Sequence, residues 1–230
     1  MSLDFDGIND LVNCGSSSIV NNVVNKTLMA WINADNYGEG NQGKIVSKVN
    51  WTFRVHSTGT ISYQQNFATT NGIWRTANNS FNTGGWYHVA MHYVRANTAN
   101  QPTFFINGSL QTTVLAQQPV GFLNVDNEYD LILGNDGSAT GTFNGKIEDV
   151  SFHTSILEDE DISRAASSKL RYVALQVSPS TLAGLWPLDE FSNGTSASGT
   201  FSLRDISQNS HNGTPSISPI GRSTEFISYA

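Results

Sequence analysis

The sequence FNGKIEDVSFHTSILEDEDISRAASS, residues 143–168, changes its hydrophobic period within a few residues and so indicates the fold. In 145–153 apolar and polar residues alternate, which predicts a β-strand with one buried face. From 155 onward the apolar residues fall at near-helical spacing, with acidic residues early and Arg164 late, an order that suits the helix dipole. We therefore predict one short helix near 156–168, and we interpret its acidic run EDED as a solvated first turn, not as a metal cluster.

Short alternating segments, separated by Gly and Asn turns, recur on both sides of this stretch. They include TLMAWIN (27–33), KIVSK (44–48), WTFRVH (51–56), TISYQQ (60–65), WYHVAMHYV (86–94) and TFFING (103–108). Strands this short, with turns between them, predict an all-β fold: an antiparallel two-sheet jelly-roll sandwich. Later strands are predicted at YVALQV (172–177), LAGLWPL (182–188), TFSLRDI (200–206) and TEFISY (224–229).

Composition argues against several classes of function. The 230 residues carry a net charge of −7 with twelve scattered basic residues, which argues against binding nucleic acid. The apolar runs are too short for a membrane span. The single cysteine, Cys14, forms no intrachain disulfide, and we interpret it as a small buried apolar residue. The opening MSLDFDGIND shows neither the basic nor the apolar region of a secretory signal.

The order of several motifs resembles that of a known family. These motifs are LDFDGINDLV (3–12), TLMAWINAD (27–35), KIVSK (44–48), GGWYHVAMHYV (84–94), FFINGSL (104–110), LILG (131–134) and FNGKIEDVSFHTSILEDEDI (143–162). Together they are similar to the laminin-G-like branch of the concanavalin A-like lectin/glucanase superfamily, over nearly all of residues 2–168. The resemblance implies two antiparallel sheets in a jelly roll, one of them concave.

The C-terminal phrases GLWPLDE (184–190) and DISQNSHNG (205–213) resemble a strand and a loop that family members usually carry before their LDFDG segment. A sandwich without its first strand would leave an open sheet edge, and the residues from Leu182 onward are too few for a second core. We therefore predict one domain over 1–230, with a main body of 1–168 and a C-terminal segment, 172–230, that completes it. The segment would pack in its own chain or swap into a neighbouring subunit, and Asp205 would lie near Asp10.

Oxygen-bearing side chains indicate a possible calcium site. Asp205, Asn209 and Asn212 lie on a Gly-ended loop, and Asp6 and Asp10 supply further carboxylates. Strand alternation places Glu148 on the face of Val150 and Phe152, where a buried carboxylate needs a partner. The family resemblance implies that these three stretches converge on one structural Ca²⁺. The alternative is that Asp and Asn simply form turns.

Catalytic signals are weak. A glycosidase places two carboxylates on one face, whereas the adjacent Glu148 and Asp149 should point to opposite faces of their strand. His88 and His92 share a face but lie about 13 Å apart along a strand, too far for one zinc ion. We interpret them as polar members of a solvated face and predict no enzymatic activity.

Aromatic residues beside polar ones are candidates for sugar stacking. Trp51, Tyr63 and Trp74 are the aromatic candidates, and Arg75 and Asn78 flank Trp74, which we predict to be the most exposed. The alternative for each aromatic residue is a place in the core, which is what we predict for Trp31 and Trp186.

Two functions of different classes follow from these observations. The first is a non-catalytic carbohydrate-binding or adhesion module with a structural calcium ion, acting on a glycan or cell-surface polysaccharide. The alternative is an assembly protein, such as a virion decoration or fibre component that binds protein partners or forms a homo-oligomer. Either would place the protein outside the cell or on a particle surface.

Overall fold

The structure is a computed structural model and describes residues 2–167, 173–216 and 222–223. Two antiparallel sheets face each other across a hydrophobic core, which confirms the predicted all-β sandwich. The predicted helix is present as α1, Asp159–Ser167. It begins later than predicted, and residue 168 lies outside the described residues. No helix among the described residues is long and apolar enough to cross a membrane.

Sheet A consists of eight strands in the described part of the chain, in the order β10-β9-β8-β3-β13-β1-β16, with β14 also paired to β13. Their bounds are Ser2–Asp6 (β1), Asn25–Ala34 (β3), Trp86–Val94 (β8), Thr103–Ile106 (β9), Ser109–Gln111 (β10), Asn144–His153 (β13), Leu182–Trp186 (β14) and Arg222–Ser223 (β16).

Sheet B has the order β11-β7-β6-β5-β4-β12-β2-β15. Its strands are Val12–Asn13 (β2), Lys44–Lys48 (β4), Trp51–His56 (β5), Thr60–Gln65 (β6), Gly72–Arg75 (β7), Val114–Gln117 (β11), Ile132–Leu133 (β12) and Thr214–Pro215 (β15). Short 3₁₀ turns occur at Ser18–Val20, Glu39–Asn41, Val173–Leu175 and Pro179–Thr181.

The two ends of the chain share one edge of β13. Strand β1 pairs with the first half of β13, through Leu3 opposite Ile147. Strand β14 pairs with the second half, through Trp186 opposite Val150. Strand β14 therefore lies, within this one chain, on the part of the β13 edge that β1 leaves open. The single domain over 1–230 and the swapped arrangement stay predictions.

The outer face of sheet A is covered. A second apolar cluster there joins Met29, Ala90 and Phe105 of the sheet to Leu157 and to Ile162 of α1. The predicted solvated face for the two histidines is therefore wrong for His88, which is 3% exposed. Burial lowers the pKa of His88 to about 3, so this histidine is neutral in the folded protein.

Two of the strands predicted in the C-terminal segment are not present among its described residues. The predicted strand 172–177 instead contains the 3₁₀ turn Val173–Leu175. Within 200–206 only an isolated bridge forms, between Leu203 and Gly213. The predicted strand TEFISY, 224–229, lies outside the described residues. Apolar alternation alone therefore overpredicted strands at these two places, where turns bring the apolar side chains into the two cores instead.

Candidate functional site

A polar groove lies at one end of the outer face of sheet B. Its volume is about 540 Å³. Residues from β2, β4, β5 and β12 form its floor, and two loops form its walls. The lining comprises Asn13, Lys48, Val49, Thr52, Glu128, Tyr129, Asp130, Ile132, Asp136, Gly137 and Ser138. We call this cavity the Tyr129 groove, because Tyr129 is its one aromatic lining residue and is 48% exposed.

Hydrogen bonds fix the two walls of the Tyr129 groove. Asn13 Nδ2 donates to Asp130 Oδ2 at 2.8 Å, which ties the loop 124–131, called here the Tyr129 loop, to β2. Asp136 Oδ1 accepts from the backbone N–H groups of Ser138 at 3.0 Å and Thr140 at 3.1 Å, and Asp136 forms an ion pair with Lys44. Burial would raise the pKa of Asp136, but the hydrogen bonds from Lys44 and Thr140 outweigh it and lower the pKa. Asp136 is therefore ionised at neutral pH.

A buried carboxylate holds the Tyr129 loop from behind. Asp126, 1% exposed, accepts a hydrogen bond from Trp51 Nε1 at 2.8 Å. It also accepts one from the backbone N–H of Asn22. Arg95 supports the same loop through a 2.6 Å hydrogen bond to the carbonyl oxygen of Asn124. The groove wall is thus attached to the core and is held before any ligand arrives.

The three aromatic residues predicted to bind sugar lie in the core. Trp51 and Trp74 are each 1% exposed and Tyr63 is fully buried, so the prediction of an exposed Trp74 is wrong. Tyr63 and Trp74 are opposite each other on β6 and β7, and their rings stack with centroids 6.5 Å apart. The polar neighbours of Trp74 misled the prediction, because the alternate residues of β7 face outward.

The two polar residues predicted to bind sugar, Arg75 and Asn78, lie outside the core. Arg75 is half-buried and directly follows Trp74, so it faces outward, and Asn78 is exposed in the turn after β7. Neither lines the Tyr129 groove. Their participation in sugar binding stays a prediction.

The predicted calcium ligands do not converge. Asp6 pairs with Asn144 at one end of β13, and Asp10 accepts a hydrogen bond from the Asp6 backbone N–H. Asp205 instead accepts from the N–H of Leu185, which pairs with Ser151. Asn144 and Ser151 are seven positions apart along β13, so the Asp10 and Asp205 carboxylates are about 20 Å apart. The predicted contact between them is wrong.

The loop at Asp205 is closed by its own hydrogen bonds. The Asp205 carboxylate accepts from the N–H groups of Leu185 and His211, each at 2.9 Å, and from both the N–H and Oγ of Ser207. Asn212 Oδ1 accepts from the Asp205 N–H at 2.9 Å. Asn209 Nδ2 donates to the Leu182 carbonyl oxygen at 2.9 Å. These oxygens are occupied by protein donors, as in a turn.

Glu148 is buried, but it lies on a different face of β13 from the one predicted for a calcium ligand. A β-bulge between Glu148 and Ser151 includes Asp149, whose φ is 48°. The bulge shifts the alternation, so Glu148 is opposite Trp31 and shares the outer face of sheet A with it. Val150, by contrast, faces the main core. The predicted shared face of Glu148 and Val150 is therefore wrong.

Asp10 lies in a separate acidic cavity of about 240 Å³, whose lining includes Asp4, Asp6, Asp35 and Asn144. Burial and the neighbouring charge of Asp6 raise the pKa of Asp10 to about 6, although the hydrogen bond from the Asp6 N–H lowers it. Among the residues that the structure describes, no group of three Asp, Glu, His or Cys side chains is arranged to hold a metal ion. The implied calcium set does not fit this geometry.

A chelator tests the calcium site that the sequence predicted. Because the Asp205 loop closes without a cation, we expect EDTA to change the melting temperature by less than about 1 °C. Elemental analysis before and after chelation serves as the control. A fall of several degrees, together with calcium recovered from the untreated protein, would contradict this expectation.

The sequence analysis missed the residues of the Tyr129 groove. The signal available was NVDNEYDLIL, residues 124–133, in which an aromatic residue lies between acids just before a strand. That pattern is common in turns, and the groove depends on β2, β5 and two loops that are distant in sequence. Cys14 is free and buried, as predicted.

Comparisons with known proteins agree with this sandwich. A laminin G family model of the concanavalin A-like lectin/glucanases superfamily matches residues 6–163. The chain therefore belongs to this family. A search of curated protein sequences found no match.

Solved structures with the same fold are distant in sequence. A candidate carbohydrate-binding protein from Bacteroides ovatus has 15% identity and a TM-score of 0.66, with coverage of 100% of this chain and 61% of its own. The CBM40 of the Ruminococcus gnavus IT-sialidase has 15% identity and a TM-score of 0.51, with coverage of 73% of this chain and 99% of its own. The same CBM40 bound to α2,3-sialyllactose has a TM-score of 0.50, at 15% identity and with coverage of 72% and 97%. This chain thus spans 61% of the length of the Bacteroides protein.

Proposed function

We propose that this protein is a non-catalytic carbohydrate-binding module that holds a glycan in the Tyr129 groove. The observation that carries the proposal is a fixed polar groove of about 540 Å³ with one half-exposed aromatic ring. Sugars offer hydroxyl groups to polar side chains and an apolar face to an aromatic ring. Asn13, Thr52 and Asp130 provide donors and acceptors, and Tyr129 provides the ring.

Family membership supports the same class of function. The Bacteroides ovatus protein is a candidate carbohydrate-binding protein, and the Ruminococcus gnavus CBM40 is bound to α2,3-sialyllactose. At this level of identity they share the fold with our protein, so the glycan remains to be identified by experiment. A module of this kind acts where glycans are displayed, outside a cell or on a particle surface.

Binding fits the groove better than hydrolysis does, because two of its three carboxylates, Asp130 and Asp136, are engaged by protein donors. A general acid requires a raised pKa, whereas the pKa of Asp136 is lowered. Asp130 accepts a hydrogen bond from Asn13 and serves to hold the loop. The Glu148 and Asp149 carboxylates belong to the bulge in β13 and lie outside the groove. Assembly into a virus particle stays an alternative prediction, which a symmetric oligomer without glycan binding would favour.

The test compares glycan binding of the wild-type protein with that of Tyr129→Ala. Removing the ring should weaken binding about fivefold, because stacking on an aromatic face contributes about 1 kcal/mol. Phe122→Ala is the matched control, since Phe122 is 88% exposed and does not line the groove. A glycan array identifies the ligand and calorimetry measures its affinity. Equal affinities for Tyr129→Ala and Phe122→Ala would contradict the proposed site.

A further inference from the structure

Two arginines lie in one row across the outer face of sheet B. Arg54 of β5 is opposite Ser62 of β6, and Ser62 is opposite Arg75 of β7. Residues directly opposite each other in antiparallel strands share a face. The alternate residues, among them Phe53 and Trp74, belong to the core, so both arginines face away from it.

These two arginines have no anionic partner among the residues that the structure describes. Neither forms an ion pair there, and the Nε atoms of both are buried without a hydrogen-bond partner. Arg54 is 7% exposed, and Ser62 between them is fully buried. Ser62 Oγ donates to the carbonyl oxygen of Trp74 and carries no charge that could balance the arginines. A protein with a net charge of −7 thus keeps two cations together with no acid paired to them in the described part of the chain.

The electrostatic environment is unusual for a structural pair. Burial lowers the pKa of Arg54 to about 10, and the charge of Arg75 lowers it further in the same direction. Buried charges are normally paired, and like charges side by side oppose folding. An arrangement that desolvates a guanidinium beside another one is typical of a site whose counter-ion comes from a ligand.

We propose that Arg54 and Arg75 form an anion subsite that binds the carboxylate or sulfate group of an acidic glycan. A guanidinium presents several N–H donors in one plane, which match the oxygens of such a group in pairs. Two strand spacings separate the Cα atoms of the arginines by about 10 Å, so both side chains can reach one oxyanion above Ser62. This inference rests on the proposed function and names the class of glycan.

The subsite is next to the Tyr129 groove. Thr52 lines the groove and lies two residues before Arg54 on β5, on the same outward face and about 7 Å away along the strand. Gln64, opposite Thr52 on β6, continues the polar surface. A glycan whose neutral residue occupies the groove can therefore direct an acidic residue towards the arginines.

The experiment measures binding on an array that displays matched neutral, sialylated, uronic-acid-containing and sulfated glycans. We expect the acidic members to bind at least tenfold more tightly than their neutral counterparts, with a preference that falls as salt rises. Arg54→Gln and Arg75→Gln should remove that preference. Arg75→Lys keeps the charge but loses the paired geometry, so it should retain only part of the preference. Arg164→Gln on α1 is the control for loss of one positive charge.

The outcomes separate this inference from the proposed function. Equal binding of neutral and acidic glycans, or a preference that survives in both glutamine variants, overturns the anion subsite and leaves the Tyr129 groove intact. If no glycan binds, the proposed function fails, and the subsite is then tested with inorganic sulfate at constant ionic strength. Sulfate should raise the melting temperature of the wild-type protein and not that of Arg75→Gln, and the absence of this difference overturns the subsite. Preference for carboxylate or for sulfate on the array identifies the group bound.

Discussion

Replacing Trp186 by alanine is expected to lower the free energy of unfolding by about 3–5 kcal/mol, the usual cost of removing a large buried aromatic side chain. Trp186 is fully buried, and its Nε1–H donates to the His211 carbonyl oxygen at 2.7 Å. Its ring lies over Gly184, where an added Cβ would come within 2.2 Å of it. The C-terminal segment thus contributes a central part of the core, and the cavity left by alanine could not be filled locally.

Urea unfolding of the wild-type and variant proteins measures this effect. Trp186→Phe keeps much of the buried area but loses the N–H donor, so we expect a loss of about 1–2 kcal/mol. Phe201→Ala is the control in the same segment, because Phe201 is 63% exposed and should change stability by less than about 0.5 kcal/mol. A loss below about 1 kcal/mol for Trp186→Ala would contradict the prediction that residues 172–230 complete a single domain.

The sheet architecture was predictable because it depends on local alternation and turns. The strands of the main body and the helix α1 follow from the hydrophobic period, and the order of motifs added the family. The position of β14 was harder to predict, because the local sequence LAGLW does not indicate which strand it pairs with. The sequence bore on β14 only through a general rule, that a strand in the middle of a sandwich needs neighbours on both sides.

The orientation of individual side chains was less predictable. Trp74 has Ile73 and Arg75 as neighbours, so its strand carries one apolar residue on each face and its phase is ambiguous from sequence. Glu148 was misplaced because one residue, Asp149, adopts a left-handed backbone and shifts the alternation of β13. Asp tolerates that conformation better than most residues, but its presence alone does not predict a bulge.

The calcium prediction and the missed groove have related causes. The oxygens of Asp205 and Asn212 can be satisfied either by a cation or by N–H groups of the same loop, and the sequence does not distinguish the two. The Tyr129 groove and the Arg54–Arg75 pair arise where strands distant in sequence come side by side. Their chemistry depends on register, which the sequence specifies only through packing of the opposite face.

Asp126→Asn is expected to lower the free energy of unfolding by about 3–5 kcal/mol, the typical cost of removing one partner from a buried charge cluster. Three buried cations surround this carboxylate: the charge of Asp126 acts on Lys26 and Lys48, and Arg95 is part of the same cluster. Lys26 is fully buried, with its Nζ 4.3 Å from the ring centroid of Trp51. Burial lowers the pKa of Lys26 to about 7, and the charge of Asp126 opposes that shift. Without Asp126, the three buried cations would lose the counter-charge at the centre of their cluster, and Lys48 would keep only that of Asp130.

A double-mutant cycle with Lys26→Met tests that cause. If charge imbalance destabilises Asp126→Asn, removing the Lys26 ammonium should restore at least about 1 kcal/mol, whereas independent effects would simply add.

Asp126→Asn should also weaken glycan binding, because Asp126 holds the Tyr129 loop to Trp51 and Asn22. Tyr129→Ala should then cost less affinity in the Asp126→Asn background than in the wild-type protein. Additive stabilities together with an unchanged glycan affinity would show that the buried carboxylate neither balances the cations nor positions the groove.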